Sequence, residues 1–238
     1  MINETKEISC YVACFNEEEH IQATLNNLIR ALKANSINYE IIVIDDASTD
    51  NSVQRIEKWM SENPAIEIRV VKRGKNVGLA LNFIRALNIS SGKYFRLICG
   101  DDVEPFEALN GIFSNIGKKD LIIPYHIKCP GKTVLRRGIS WLYTQLVNIL
   151  SGNRIKYYNG LTVAKREDFV KYCRPKLGFS FQADFICQSL AMGRTYIEVG
   201  VETIERRHGV STAFSRQNMI GAIHLFRRII KKRITQFK

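Results

Sequence analysis

Five short apolar runs, Ile8 to Cys14, Glu40 to Ile44, Ile66 to Val71, Tyr94 to Cys99 and Leu121 to Pro124, punctuate the first half of the chain. The stretches between them have helical periodicity. In the first gap Ile21, Leu25, Leu28, Ile29 and Leu32 recur at the spacing of one helix face. Asn16, with Glu19 three residues on, predicts the cap of that helix. Later helices are predicted over Asn51 to Met60, Leu79 to Asn88 and Pro105 to Ile116. Strand alternating with helix predicts a doubly wound α/β fold, a mostly parallel sheet with helices on both faces. In such sheets ligands bind beyond the carboxyl ends of the strands, so the residues that follow each run are the ones to inspect.

Three runs end in carboxylates. The first is followed by Phe15-Asn16-Glu17, the second by Asp45-Asp46 and the fourth by Gly100-Asp101-Asp102. Carboxylates converging on one cleft cannot all stay ionised without a cation or hydrogen-bond donors. A hard divalent ion that takes one or two carboxylates plus phosphate oxygens suits the pattern, which points to a diphosphate ligand. For Asp46, close before Ser48 and Asp50, a turn or cap role fits as well as a ligand role. Two other phosphate motifs are excluded. Gly131-Lys132-Thr133 has His126 where a P-loop needs its first glycine, and no GxGxxG follows the first run.

The net charge of +12 is unevenly spread: residues 1–120 carry 14 Lys/Arg against 17 Asp/Glu, residues 121–166 carry eight basic and no acidic side chains, and residues 206–238 nine and none. A nucleic-acid-binding role is disfavoured, because the predicted cleft is acidic and would repel phosphate unless a metal is present. The basic segments instead contain apolar stripes. On a helix from Gln217 onward, Met219, Ile223, Phe226, Ile230, Ile234 and Phe237 share a face, with Arg228 and Lys232 behind and Arg227, Lys231 and Arg233 flanking. Ile139, Leu142, Tyr143, Leu146 and Leu150 form a second stripe, beside Trp141. Basic helices of this kind are expected at an anionic membrane surface, the alternative being that both stripes pack on the core and their charges face solvent. The opening MINETKEISC has no apolar targeting segment, and no apolar run approaches the ~20 residues of a membrane span. The six cysteines fall at no zinc or redox spacing. Reduced, buried thiols are therefore expected, in a cytoplasmic protein peripheral at the inner face of the membrane.

Several motifs carry a resemblance. Val12-Ala13-Cys14-Phe15-Asn16-Glu17, Glu40 through Asp50, Asn76-Val77-Gly78, Gly92-Lys93-Tyr94 and Asp101-Asp102 before Pro105 together resemble the family 2 glycosyltransferases of GT-A fold. The resemblance implies that Ala13, Phe15, Glu17, Asp45, Asp46, Asn76, Gly78 and Asp101 bind a UDP- or GDP-linked sugar. It also implies that Asp102, helped by Asp101, holds Mg²⁺ or Mn²⁺ against the diphosphate. The usual Asp-x-Asp reads Gly100-Asp101-Asp102 here, without the first carboxylate. The second half is similar to the dolichyl-phosphate mannose synthase and polyprenyl-phosphate glycosyltransferase branch, through Arg136-Arg137-Gly138-Ile139-Ser140, Tyr158-Asn159-Gly160-Leu161, Phe179 to Asp184, and Arg206-Arg207-His208-Gly209-Val210-Ser211.

That branch implies a polyprenyl phosphate acceptor held by Arg136, Ser140, Asn159, Gly160, Arg207 and Ser211, with Arg206 near the phosphates. It also implies inversion at the anomeric carbon. Arg136 and Ser140, four residues apart, would share one helix face. An acceptor phosphate is already anionic and needs no strong base, whereas a sugar hydroxyl does, and Asp184 is then the candidate. The alternative is accordingly a family 2 enzyme that glycosylates a saccharide in surface polysaccharide or glycolipid synthesis. The implied organisation is a glycosyltransferase domain over 1–215, with a nucleotide-binding half 1–120 and an acceptor half 121–215, followed by the basic helix 216–238.

Overall fold

The computed structural model describes residues 6–128, 130–131, 133–173, 180–204 and 216–236. Strands β1 (Ile8–Cys14), β2 (Tyr39–Asp45), β3 (Ile68–Lys72), β4 (Tyr94–Cys99), β5 (Leu121–Lys128), β6 (Val163–Lys165) and β7 (Tyr196–Glu202) form one sheet in the order β3-β2-β1-β4-β6-β5-β7. The pairs among β1 to β4 and the β5–β7 pair are parallel, and only β6 runs against its neighbours β4 and β5. The expected doubly wound sheet is therefore present. From β1 the chain winds outward to β2 and β3, then crosses back to place β4 on the other side of β1. The ends of β1 and β4 thus flank the switch point, where such sheets bind ligands.

Helices α1 (Ile21–Ala34), α2 (Ser52–Glu62) and α4 (Phe106–Phe113) cover one face. The core there is built from Leu25, Leu28, Leu32, Ile56, Trp59, Ile112 and the inward residues of β1 and β2. The other face carries α3 (Leu79–Ile89), α5 (Val134–Ser151), α6 (Arg166–Tyr172), α7 (Phe181–Ala191) and α8 (Arg216–Gln236). Its centre is an aromatic cluster in which Phe83 meets Phe95, Phe169 and Phe181 at centroid distances of 5.2, 5.3 and 4.9 Å. The thiols behave as expected of buried groups. Cys10, Cys14, Cys99 and Cys187 are free thiols, and burial pushes the pKa of Cys10, Cys14 and Cys187 up to about 12. Cys129 lies outside the described residues.

Three expectations need correction. Asn16 does not cap α1, whose N-cap is His20. Asn16 sits at φ 55° and its Oδ1 instead accepts from Thr49 N at 2.8 Å, because its loop is stitched to the loop after β2. Strand β5 continues four residues past Pro124, since Tyr125 to Lys128 find partners along β7. Finally, α8 is apolar on two faces. Leu225 and Ile229 face the core, and Arg228, expected on the solvent side, reaches inward to Asp184. Met219, Ile223 and Ile230 lie roughly 130° away, at 100° per residue, and are exposed. The side chains of Lys232, Arg233 and Ile234, and all of Phe237, lie outside the described residues.

Candidate active site

The parallel register brings Cys14 beside Asp45, and Ala13 beside both Ile44 and Cys99, so three strand ends stop at one level. Beyond them the loops lock reciprocally. Asn16 N donates to Ser48 Oγ at 2.9 Å, Glu17 N to Ser52 Oγ at 2.7 Å and Glu18 N to Asp50 at 3.1 Å. Asn51 N returns a bond to Glu18 at 3.0 Å. These bonds account for Ser48, Asp50 and Ser52 as structural residues. They also fix Glu17 in a buried position, while Phe15, next to it, keeps 45% of its surface exposed.

Asp46 spends both carboxylate oxygens on backbone donors of the turn before α3, Val77 N at 2.9 Å and Gly78 N at 2.8 Å. Gly78, at φ 86°, needs the freedom of glycine to present that N–H. Asp46 therefore places the Asn76-Val77-Gly78 turn over the cleft. Asp45 is buried beside it. Its Oδ2 accepts from Ser48 N at 3.3 Å, and its Oδ1 is enclosed with no hydrogen-bond partner among the described residues. A desolvated acceptor of this kind calls for a donor from a ligand.

The loop after β4 explains the departure from Asp-x-Asp. Gly100 N donates to Ala13 O at 2.8 Å, and a Cβ at residue 100 would lie 2.7 Å from that oxygen. No carboxylate can stand there. Asp102, at φ 52°, turns toward α1, with its N–H on Thr24 Oγ1 at 3.0 Å and its Oδ1 accepting from Asn27 Nδ2 at 2.8 Å. The Cys99 thiol is pushed well above its usual range, first by burial and then by the carboxylates of Asp101, Glu104 and Glu17. The loop thus carries Asp101 just past the end of β4, while Asp102 is turned toward α1. Among the described residues no preformed cluster of three metal-ligating side chains exists. The donor set still fits a hard cation that completes its shell with phosphate oxygens, because hard carboxylate oxygens are in excess and one, Glu104 Oε2, is buried without a partner.

Of the second-half candidates, Arg136 and Ser140 lie one turn apart near the start of α5, which Thr133 caps by accepting from Arg136 N at 3.3 Å. Gly160 presses so closely on β5 that a Cβ there would lie 2.0 Å from Pro124 O, while Asn159 next to it is exposed. Asp184 stands in the first turn of α7, completely enclosed, and is bonded by Gln188 Nε2 at 2.6 Å and Arg228 Nη1 at 2.9 Å. Arg206, Arg207 and Ser211 lie outside the described residues. The sequence reading missed Thr24, Asn27, Glu104 and Arg228. Thr24 is buried at the edge of the inward face of α1 and Asn27 lies beside it on the polar side, where nothing in the periodicity marks either as a partner of the β4 loop.

The model of the family described as "Glycosyl transferase family 2" matches residues 9–177, well over half of the chain. The chain belongs to this family. Among curated relatives, the dolichyl-phosphate beta-glucosyltransferase of Dictyostelium discoideum is 30% identical over 122 residues, 48% of this chain and 37% of that protein. The dolichol-phosphate mannosyltransferase of Pyrococcus furiosus is 29% identical over 103 residues, 43% of this chain and 28% of its own length. The matches to these glycosyltransferases therefore span about a third of their length. Among solved structures, glucosyl-3-phosphoglycerate synthase from Mycobacterium tuberculosis, in complex with Mn²⁺, uridine diphosphate and phosphoglyceric acid, has a TM-score of 0.71 at 18% identity, covering 93% of this chain and 78% of that one. The fold that this family 2 glycosyltransferase shares with it is GT-A.

Proposed function

We propose that the protein transfers a sugar from a UDP- or GDP-linked donor to a polyprenyl phosphate, with inversion, at the surface of an anionic membrane. The observation that carries this choice of acceptor is the state of the acceptor-side carboxylates. Residues 121–166 contain no acid at all. On α7 and β7, Asp184 is held by Arg228 and Gln188, Glu198 accepts from Lys156 N at 2.6 Å, and Glu202 pairs with Lys128 at 2.8 Å. Each is therefore already engaged by a protein donor rather than held open as a general base. A hydroxyl acceptor would need such a base, whereas a phosphate monoester arrives as its own anionic nucleophile.

In this reading Phe15 and Asp45 receive the nucleoside, with Ala13 and Glu17 at the floor and the Asn76–Gly78 turn above. Asp101, with Asp102 behind it, would hold Mg²⁺ or Mn²⁺, which when bound neutralises charge on the leaving diphosphate. The Mn²⁺-bound solved relative and the carboxylates around Cys99 support that assignment. Arg136, Ser140, Asn159 and Gly160 are assigned to the acceptor phosphate, joined by Arg206, Arg207 and Ser211. Holding the phosphate in line with the anomeric carbon turns a bimolecular displacement into an oriented one.

Support for the membrane comes from α5 and α8, which pack together through Tyr143 and Phe226, 6.0 Å between ring centroids. Both expose large apolar side chains, Trp141 at 64% and Leu142 at 52% on α5, Met219 at 61% and Ile223 at 50% on α8. Neither helix contains an acidic residue, and among the described residues no helix is long and apolar enough to cross a membrane. Incubation with labelled UDP- and GDP-sugars and Mn²⁺, with and without polyprenyl phosphate, tests the proposal. Label should pass into the organic phase with one donor when the lipid phosphate is present. No organic-phase label with any donor would remove it. The alternative, a saccharide hydroxyl as acceptor with Asp184 as base, would then be tested with oligosaccharide acceptors.

A further inference from the structure

One charged side chain that the transfer chemistry does not use lies wholly inside the fold. Arg96, in the middle of β4, has no solvent exposure. Its Nη2 donates to Glu104 Oε1 at 2.6 Å, its Nε to the Leu161 carbonyl at 3.1 Å, and its guanidinium lies 5.7 Å from the Phe113 ring centroid. Nη1 and Glu104 Oε2 are buried with no hydrogen-bond partner among the described residues. Such a pair is a poor source of stability. Desolvation of both charges offsets most of their attraction, and well-packed apolar replacements are often as stable or more so.

The two ends of this contact are informative. Glu104 closes the loop that begins at Gly100 and carries Asp101 and Asp102. That loop is otherwise tied to β1 through Ala13, to α1 through Thr24 and Asn27, and to the end of β7 through Ile204 N on Val103 O at 3.1 Å. Leu161 directly follows Asn159 and Gly160, whose turn is wedged against β5. One rigid guanidinium therefore joins the loop assigned to the donor diphosphate and metal to the loop assigned to the acceptor phosphate. A lysine could not serve both, since its single ammonium lacks the planar fork.

We propose that Arg96 is a positioning residue that sets the separation between the donor loop and the acceptor loop, through Glu104 on one side and the Leu161 carbonyl on the other. The inference rests on the assignment of those two loops under Proposed function. In-line displacement is sensitive to such a spacing, because a misplacement of ~1 Å can cost ~10²-fold in rate.

The test compares Arg96→Lys, Glu104→Gln and the double variant Arg96→Met/Glu104→Leu. Three readouts are needed: thermal midpoint, the kcat and donor KM of transfer, and the Mn²⁺ concentration for half-maximal binding of UDP and of GDP. Glu104→Gln should lower the midpoint by leaving a buried charge unpaired, and the double variant should recover it. All three variants should lose about tenfold or more in kcat, with donor KM changed less than about threefold. Arg96→Lys, which leaves every carboxylate in place, should also require at least about threefold more Mn²⁺ for nucleotide binding. If the double variant regains wild-type kcat and Mn²⁺ requirement along with its midpoint, Arg96 is structural only and the proposal is overturned. Loss of the Mn²⁺ effect alone, with wild-type kcat, overturns it equally. Should the unmodified protein transfer nothing to polyprenyl phosphate, the functional reading fails. The strut then stands or falls on the Mn²⁺ requirement of Arg96→Lys for nucleotide binding, which needs no acceptor.

Discussion

The side of the cleft proposed for the donor and the side proposed for the acceptor are built by different means. On the donor side the chemistry is held by the main chain. Asp46 reads two backbone N–H groups, Gly100 lies against the Ala13 carbonyl, and the loops after β1 and β2 bond reciprocally. On the acceptor side the important features are side-chain surfaces: a basic helix start at Arg136, a carboxylate locked by Arg228, and two helices with uncovered apolar faces. A diphosphate bridged by metal tolerates little variation in position. A lipid surface constrains charge and apolarity but not register.

That contrast predicts where substitutions act. The largest effect is expected at the donor loop. Asp101→Asn should lower transfer by about 100-fold or more, and Asp102→Asn by about tenfold, in assays across a Mn²⁺ titration. Equal losses would show that Asp102 is not set apart by its turn toward α1. Next, Gly100→Ala forces the backbone away from Ala13 and should cost about 1–3 kcal/mol in chemical denaturation while weakening nucleotide binding. A neutral result would mean that the close approach is relaxed at little cost.

On the acceptor side, Trp141→Ser with Ile223→Ser should abolish sedimentation with anionic vesicles while leaving the thermal midpoint within a degree or two. The same surface residues should matter little for a short, water-soluble acceptor phosphate. Asp184→Asn should reduce transfer less than about tenfold, where loss of a general base costs about 10²–10⁴. A loss in that larger range, with an altered pH profile, would move the assignment to the saccharide reading.

The smallest effect lies at the opposite pole of the sheet. Glu40 accepts from Ser9, Ser91 and Gly92. Burial acts to raise its pKa, but these donors overcome it and hold the carboxyl below the ordinary glutamate range. Its contribution to stability is therefore present above the unfolded-state value near ~4.3 and is lost as pH falls through the lower folded value. Glu40→Gln should narrow the difference in unfolding free energy between pH 6 and pH 3 without altering donor turnover at pH 7.

The same contrast governed what could be read from the chain. The ends of β1, β2 and β4 were legible because a parallel sheet places its functional loops directly after buried apolar runs, and Asp45, Asp46 and Asp101 follow such runs. Strand β6 was not, since three residues give no periodicity. Neither was β7, where Tyr196 to Glu202 is half exposed and reads as a mixed segment. Arg96 disappears inside the run Tyr94 to Cys99, because its partner Glu104 lies eight residues on, past a turn whose shape the sequence does not disclose. Arg228 lies behind the apolar stripe of Met219, Ile223 and Ile230, and that stripe alone predicts an outward-facing guanidinium. In fact Leu225 and Ile229 provide a second, opposed stripe. Periodicity identifies an amphipathic helix, but only tertiary packing chooses between two apolar faces.

The central claim, that the acceptor brings its own anionic nucleophile to a side of the cleft where the described carboxylates of α7 and β7 are already engaged, is tested most directly by offering two acceptors that differ only in the phosphate. The protein, with Mn²⁺ and the labelled donor it accepts, is incubated with a polyprenyl phosphate and, separately, with the corresponding polyprenol. Lipid-extractable label with the phosphate and none with the alcohol is the predicted result. Transfer to the alcohol, or to a saccharide hydroxyl, with none to the phosphate would contradict it.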